Sequence, residues 1–164
     1  MKKILLIIGS CLLFTAMDCT KDTKYRHYRI FFYNESAYTI YIDGSSDYPD
    51  TSLRNVQNVM HPGWNLDVES HNYNDQALER LTSWESLFIK MDTLIVFVFN
   101  SDTLLSRGWD YVKDHNIVAQ RYDLSLSNLQ NLDWKITFPP TEEMQNIKMW
   151  PPYGTYDSLG YRIK

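Results

Sequence analysis

The sequence predicts an α+β domain with a largely antiparallel sheet and short covering helices; the alternative is a β-sandwich with helical insertions. Three observations carry the prediction. Residues 93–100 include six consecutive apolar residues, Leu94 to Phe99, between Asp92 and the polar run Asn100, Ser101, Asp102. Such a run reads as a central strand with both faces buried. Other strand-like runs alternate with short helical patterns. No segment has the length and shape of a long βαβ crossover.

Residues 28–33 and 38–43 read as the two strands of a β-hairpin, joined by Asn34, Glu35, Ser36 and Ala37. Residues 43–60 form a long polar connection, and His61, Pro62 and Gly63 make a turn. Leu66 and Val68 alternate with polar neighbours as a short half-buried strand, which Asn72, Tyr73, Asn74 and Asp75 break. In residues 76–90, Ala77, Leu81, Trp84 and Phe88 fall on one helical face, with Asp75 as N-cap. A shorter helix starting at Trp84 and capped by Thr82 or Ser83 is the other reading of that stretch.

Beyond the central strand, Leu105, Trp109 and Val112 recur at helical spacing, with Ser101 or Ser106 as cap and Asn116 as the end. Residues 117–123 read as a strand. Ser125 caps a short helix that buries Leu126, Leu129 and Leu132. Residues 134–138 alternate as a half-buried strand, stopped by Pro139 and Pro140. A helical turn around Glu142 to Asn146 precedes Trp150, Pro151, Pro152 and Tyr153.

The N-terminus has a different character. Lys2 and Lys3 precede a short apolar run, Ile4 to Phe14, which is interrupted by Gly9, Ser10 and Cys11. This is the layout of a secretory signal, and the run is too short to span a bilayer. The only two cysteines, Cys11 and Cys19, both lie here. The chain after Cys19 therefore carries no disulfide. The arrangement resembles a bacterial lipoprotein signal peptide, in which the cysteine after the apolar run is acylated with chains such as palmitate and becomes the first residue. Cys19 fits by position, although Asp18 stands where a small residue is usual. Cys11, after Ile8, Gly9 and Ser10, matches the motif letters better but leaves a short apolar run.

The expected organisation is a signal peptide over residues 1–18, a tether over 19–27 and one globular domain over 28–164. Removing residues 1–18 takes away Lys2, Lys3 and Asp18. It leaves 14 basic and 19 acidic residues, a net charge of −5. A mildly acidic chain without a Lys/Arg run argues against nucleic acid as partner. No later stretch is long and apolar enough to cross a membrane, so attachment is expected through the N-terminal lipid alone.

Few residues suggest chemistry. Asp43, Ser45, Asp47 and Asp50 invite a calcium loop, but Tyr48 stands where the EF-hand needs Gly and Arg54 where it needs Glu. Turn composition explains them better. His27, His61, His71 and His115 make no metal-binding spacing, and neither a nucleophile elbow nor a phosphate loop is present. Glu142 and Glu143 sit where a helix start favours negative charge. No catalytic residue, metal ligand or cofactor is assigned. The aromatics carry the remaining expectation. Twelve Tyr and five Trp exceed the obvious needs of one core. Trp150, Tyr153 and Tyr156, beside prolines, are the candidate platform for a sugar ring or a partner protein. The competing reading is that Trp150 and Tyr153 clamp the C-terminal segment onto the sheet.

Trp84, Glu85 and Phe88, Asp102 to Leu104, Trp109 and Asp110, the run 121–126, Trp134, Pro139 and Pro140, and Ile147 to Met149 before Pro151, Pro152 and Tyr153 form a pattern over roughly residues 80–153. It resembles a family of small uncharacterised envelope lipoproteins of Bacteroidetes, and more faintly so over 28–43. The resemblance implies a lipid-anchored protein of the bacterial cell envelope, at the outer membrane rather than the inner, and implies no activity. The expected role is therefore a non-enzymatic protein-interaction or structural domain. A glycan-binding lipoprotein is the alternative and a hydrolase the weakest one.

Overall fold

Central to the fold is a strand with no polar side. The computed structural model describes residues 22–163; Cys11, Cys19 and the signal-peptide boundary lie outside them. The elements are β1 (Phe31–Asn34), β2 (Ile40–Ser45), β3 (Asp67–Val68), β4 (Asn72–Asn74), α1 (Trp84–Leu87), β5 (Leu94–Asn100), α2 (Ser101–Arg107), α3 (Trp109–Asp114), β6 (Gln120–Leu124), α4 (Leu126–Asn131), β7 (Lys135–Phe138) and β8 (Lys148–Trp150), with a 3-10 turn at Glu142–Met144. They make an α+β fold with two mostly antiparallel sheets. The larger has the order β3-β2-β5-β6-β8 and is antiparallel throughout. The smaller has the order β4-β1-β7, with β1 and β7 parallel.

β5 lies in the middle of the larger sheet, and Leu94 to Phe99 are all buried. On one side, Val96 pairs across from Tyr122, whose ring meets Phe32 of the smaller sheet at 6.4 Å. The Tyr122 hydroxyl donates to the Thr137 carbonyl at 2.8 Å and so joins the sheets. On the other side Phe99 meets Trp109 of α3 edge-on at 5.5 Å. The connection over residues 46–60 covers the rest of that side. Its buried Leu53, Val56 and Val59 are held by bonds from the Leu53 amide to Asn116 and from Lys113 Nζ to the Val56 carbonyl. The expectation of a merely polar connection overlooked these three apolar residues.

Four local expectations are corrected. The hairpin is the first: β1 and β2 do not pair and belong to different sheets. The Tyr38 carbonyl is taken by the Asn34 side chain and Ser36 Oγ, while the Glu35 and Ala37 amides donate to Phe138 and Leu159. The segment thus turns a corner between sheets. Second, residues 72–74 do not break a strand; they form β4, where Tyr73 stacks on Tyr33 at 5.5 Å. Third, the long helix over 76–90 is absent. Only α1 forms, with Ser83 at its N-cap position, and Leu81 is 91% exposed. Asn74 Oδ1 accepts the amides of Gln76 and Ala77, and the amides of Arg80 and Trp84 donate to Tyr28 and His27. Those donors are lost to an α-helix. Fourth, Gly108, at φ +79°, divides the next helical stretch into α2 and α3. Leu104 then faces inward and Leu105 is exposed. Asn100 rather than Ser101 or Ser106 caps α2, accepting the Thr103 amide at 3.0 Å.

Ser125 caps α4 as expected, in a reciprocal capping box with Asn128. β7 shows the expected alternation, with Trp134, Ile136 and Phe138 buried and Lys135 exposed.

Layer order can be tested by burying a charge. Val96→Asp would place an unpaired carboxylate between the two sheets, and we expect a loss of several kcal/mol. Val96 is a cleaner site than Phe97, because Arg121 stands opposite Phe97. Thr137→Asp, on the half-exposed outer side of β7, should cost about 1 kcal/mol or less. Urea midpoints compare the two, and equal shifts would contradict the layer order.

Candidate ligand cavity

One convergence of polar and apolar groups lies at the end of β5. Asn100 closes the strand and caps α2, bringing Asp102 and Thr103 to the rim of a cavity of about 330 Å³. Phe99, Leu104, Val112, Ile117 and Val118 give it an apolar floor. The opposite wall is the C-terminal stretch 155–163, which folds back on itself. Tyr156 bridges Arg162, the Ile163 amide donates to Thr155, and Asp157 Oδ1 accepts the amides of Leu159 and Tyr161. This hairpin supplies Tyr156, Tyr161 and Arg162 to the cavity.

Three contacts clasp the hairpin to the body. The Tyr38 hydroxyl donates to the Gly160 carbonyl at 2.6 Å, the Tyr156 hydroxyl donates to the Ala119 carbonyl, and the Ala37 amide donates to Leu159. Gly160 is buried at φ +82°, and a Cβ there would lie 2.6 Å from the Ser36 Cβ. Both the backbone and the space require glycine. Around the clasp, Phe138 packs edge-on against Tyr156 at 5.3 Å, and Tyr38 meets Tyr161 at 5.8 Å.

Burial pushes the Tyr38 phenol up to about 12, so it stays protonated at ordinary pH. Asn100 is occupied in capping, and Asp102 and Arg162 are the charged groups on the lining.

The candidate residues take different positions. Trp150 and Tyr153 are at the surface, 50% and 42% exposed, whereas Tyr156 turns inward to the clasp. Among the described residues, no ring pair joins the three. Trp150 lines a smaller cavity of about 180 Å³ with Thr51, Phe97, Asn116, Val118 and Arg121. Behind it Arg121 Nη2 donates to the buried Asp123 at 3.3 Å. Arg121 Nε lies 2.9 Å from the other carboxylate oxygen, close enough for an ion pair but poorly aligned for a hydrogen bond. Lys148 adds a second cation 3.7 Å from Asp123 and donates to the Tyr48 hydroxyl at 3.0 Å. Among the described residues, no group of three His, Cys, Asp or Glu is placed to hold a metal ion, and no helix is long and apolar enough to cross a membrane. Comparison with known proteins adds no relative: no family model, curated protein or solved structure matches this chain.

Sequence reasoning singled out Tyr156 and missed its companions. Tyr38, Asn100, Thr103, Tyr161 and Arg162 come from separate segments and share no spacing. The available signal was Gly160 following Asp157 between tyrosines, a turn signature near the chain end.

The clasp is testable at its tightest point. Gly160→Ala should unseat the hairpin, since a strained φ and a steric overlap each cost roughly 1–3 kcal/mol. Amide exchange over 155–163 should accelerate by about tenfold or more, while exchange in β5 stays slow. Unchanged exchange in the hairpin would show that Ser36 does not seat it.

Proposed function

We propose that the protein is a lipid-anchored, non-enzymatic binding protein of the bacterial cell envelope, acylated at Cys19, whose clasped cavity recognises another envelope protein. One observation carries the partner assignment. Exposed apolar side chains gather on the elements that wall the cavity: Leu105 on α2 and Leu159, Tyr161 and Ile163 on the hairpin. Exposed apolar side chains around a concave site are the usual mark of a protein contact. The protonated Tyr38 and the committed Asn100 favour binding over catalysis. The basic and apolar N-terminal pattern supports the anchor, as does the resemblance of residues 80–153 to Bacteroidetes envelope lipoproteins. The acidic net charge of −4 speaks against a nucleic-acid partner.

Two acyl groups or more hold a protein far more firmly than one. Cys19→Ser should therefore move the protein to the soluble fraction, whereas Cys11→Ser should leave it with the membrane; the reverse would reassign the anchor. A photo-crosslinker at Leu105 or Tyr161 should then yield one defined protein adduct in cells that the same crosslinker at Tyr73 does not. Equal yields at all three positions would remove the partner site from the cavity.

A glycan reading rests on a different place. Beside Trp150 an exposed ring, the Arg121 guanidinium and Asn116 line one small cavity, a combination that suits the apolar face and hydroxyls of a sugar. If that cavity binds sugar, retention on immobilised envelope polysaccharide should fall at least about tenfold in Trp150→Ala and stay unchanged in Tyr161→Ala. Equal retention by both variants would end this reading.

A further inference from the structure

The opposite end of β5 carries a second cavity, also of about 330 Å³, whose walls include Ser45, Ser46, Arg80, Trp84, Lys90 and Leu94. Two cations and two hydroxyls meet an apolar wall there, a lining suited to an amphipathic anion. Arg80 stacks over Trp84, its guanidinium carbon 5.2 Å from the ring centroid, and donates to the Glu79 carbonyl. It is partly buried, and burial pulls its pKa down. Among the described residues no carboxylate lies within ion-pairing distance of it. The nearby acids are committed elsewhere: Glu79 and Asp75 pair with Arg29, and Glu85 pairs with His27 at 2.6 Å. Asp43 on β2, whose Oδ1 accepts the Gly44 amide, is the carboxylate that acts on Arg80 through space without pairing with it; with Asp22, which accepts the Tyr28 amide, and the exposed Asp92 it stands against Lys24, Arg26, Arg80 and Lys90.

Three further side chains lack an explanation in the fold. Leu81 is 91% exposed, Ile89 84% and Tyr25 76%, the most exposed large apolar residues among those described. Leu81 and Ile89 flank α1. Tyr25 lies on the segment leading to His27 and Tyr28, whose carbonyls accept the Trp84 and Arg80 amides. The apolar tips and the cations thus belong to two adjoining segments. The same segment leads back towards Cys19. Asp22 is three residues from Cys19, a span of at most about 10 Å.

We propose that this end of the domain seats on the bilayer, with Leu81, Ile89 and Tyr25 entering the headgroup region and the cavity of Arg80 and Lys90 taking the phosphate of an anionic phospholipid. The proposal rests on acylation of Cys19, which would hold this face at the membrane surface. Exposed apolar tips and cations together are what interfacial binding requires.

The test uses the chain as the cell produces it, reconstituted in vesicles of phosphatidylcholine with or without phosphatidylglycerol. An environment-sensitive fluorophore is placed at Leu81→Cys, Ile89→Cys or, as control, Leu159→Cys, and spin-labelled lipid is the quencher. Quenching at 81 and 89 should exceed that at 159 several-fold in phosphatidylglycerol vesicles. Arg80→Gln combined with Lys90→Gln should reduce the excess. Equal quenching at all three positions overturns the seating, and mass analysis of the Cys19 peptide shows separately whether the anchor exists. If Cys19 proves unmodified, the same labelled chains are added to preformed vesicles. Selective quenching at 81 and 89 then still supports the surface, and its absence overturns it. Inorganic phosphate that binds the cavity in solution as strongly as vesicles do would also overturn the phospholipid assignment.

Discussion

The fold turns on the side chain of Asn34. It is fully buried, and its amide nitrogen faces three carbonyls, those of Tyr38 at 2.8 Å, Val68 at 2.9 Å and Glu69 at 3.0 Å. Two N–H groups serve three acceptors, so one bond is shared. Its oxygen accepts the amide of Ser36 at 3.0 Å and lies 2.6 Å from the Ser36 hydroxyl, whose single proton is shared with the Tyr38 carbonyl. A buried carbonyl left without a donor costs about 1–3 kcal/mol, so this one side chain satisfies an otherwise expensive junction. The junction joins the end of β1, the approach to β2 and the end of β3, and so sends the chain from one sheet to the other. It also fixes Ser36, against which Gly160 closes. The crossing between sheets and the clasp over the cavity share one polar corner.

Tyrosine abundance follows from the same need to satisfy backbone carbonyls inside an apolar body. Tyr122, Tyr38 and Tyr156 each contribute a packed ring and a hydroxyl that donates to a carbonyl of another segment, at Thr137, Gly160 and Ala119 respectively. A phenylalanine would fill the same space and leave the carbonyl alone. The first bond ties sheet to sheet, and the other two tie the C-terminal hairpin to the body. Aromatic residues that look surplus to one core are therefore partly fasteners between layers, while eight other Tyr and Trp residues among those described are exposed, Trp150, Tyr153 and Tyr161 among them.

What the sequence disclosed depended on how local the cause was. The uniform apolarity of residues 94–99, the helix cap at Ser125 and the alternation of 134–138 are each decided within one element, and each was legible. The junction at Asn34 was not, because four turn-forming residues between two strands describe a hairpin and a corner equally well. Only the distant carbonyls of Val68 and Glu69 separate the two. The same holds for residues 76–90: the helical face is real as a spacing, but Tyr28 and His27 claim the amides of Arg80 and Trp84. Leu104 and Leu105 exchange roles because Gly108 resets the helical phase. The cavity draws on five separate segments, so only Tyr156 could be singled out, and for exposure rather than for the clasp it forms.

The two cavities are set apart by β5 itself. Leu94 lines one and Phe99 and Asn100 line the other, so they stand at the two ends of a seven-residue strand. At about 3.3 Å per residue, that separates them by roughly 20 Å. β2 runs antiparallel beside it and carries the same polarity, with Gly44 at one cavity and Tyr38 just before the strand at the other. The exposed aliphatic residues among those described sort along this axis. Leu81 and Ile89, with Tyr25, accompany the cations near the N-terminal segment, and Leu105, Leu159 and Ile163 surround the clasp. With the proposed anchor at the first end and β5 along the membrane normal, the second end would stand about 20 Å farther from the bilayer. A rigid, doubly covered strand is what keeps that separation fixed, since neither of its faces can slip without exposing a row of apolar side chains. The constraint that makes β5 the core thus also gives the molecule two distinct ends.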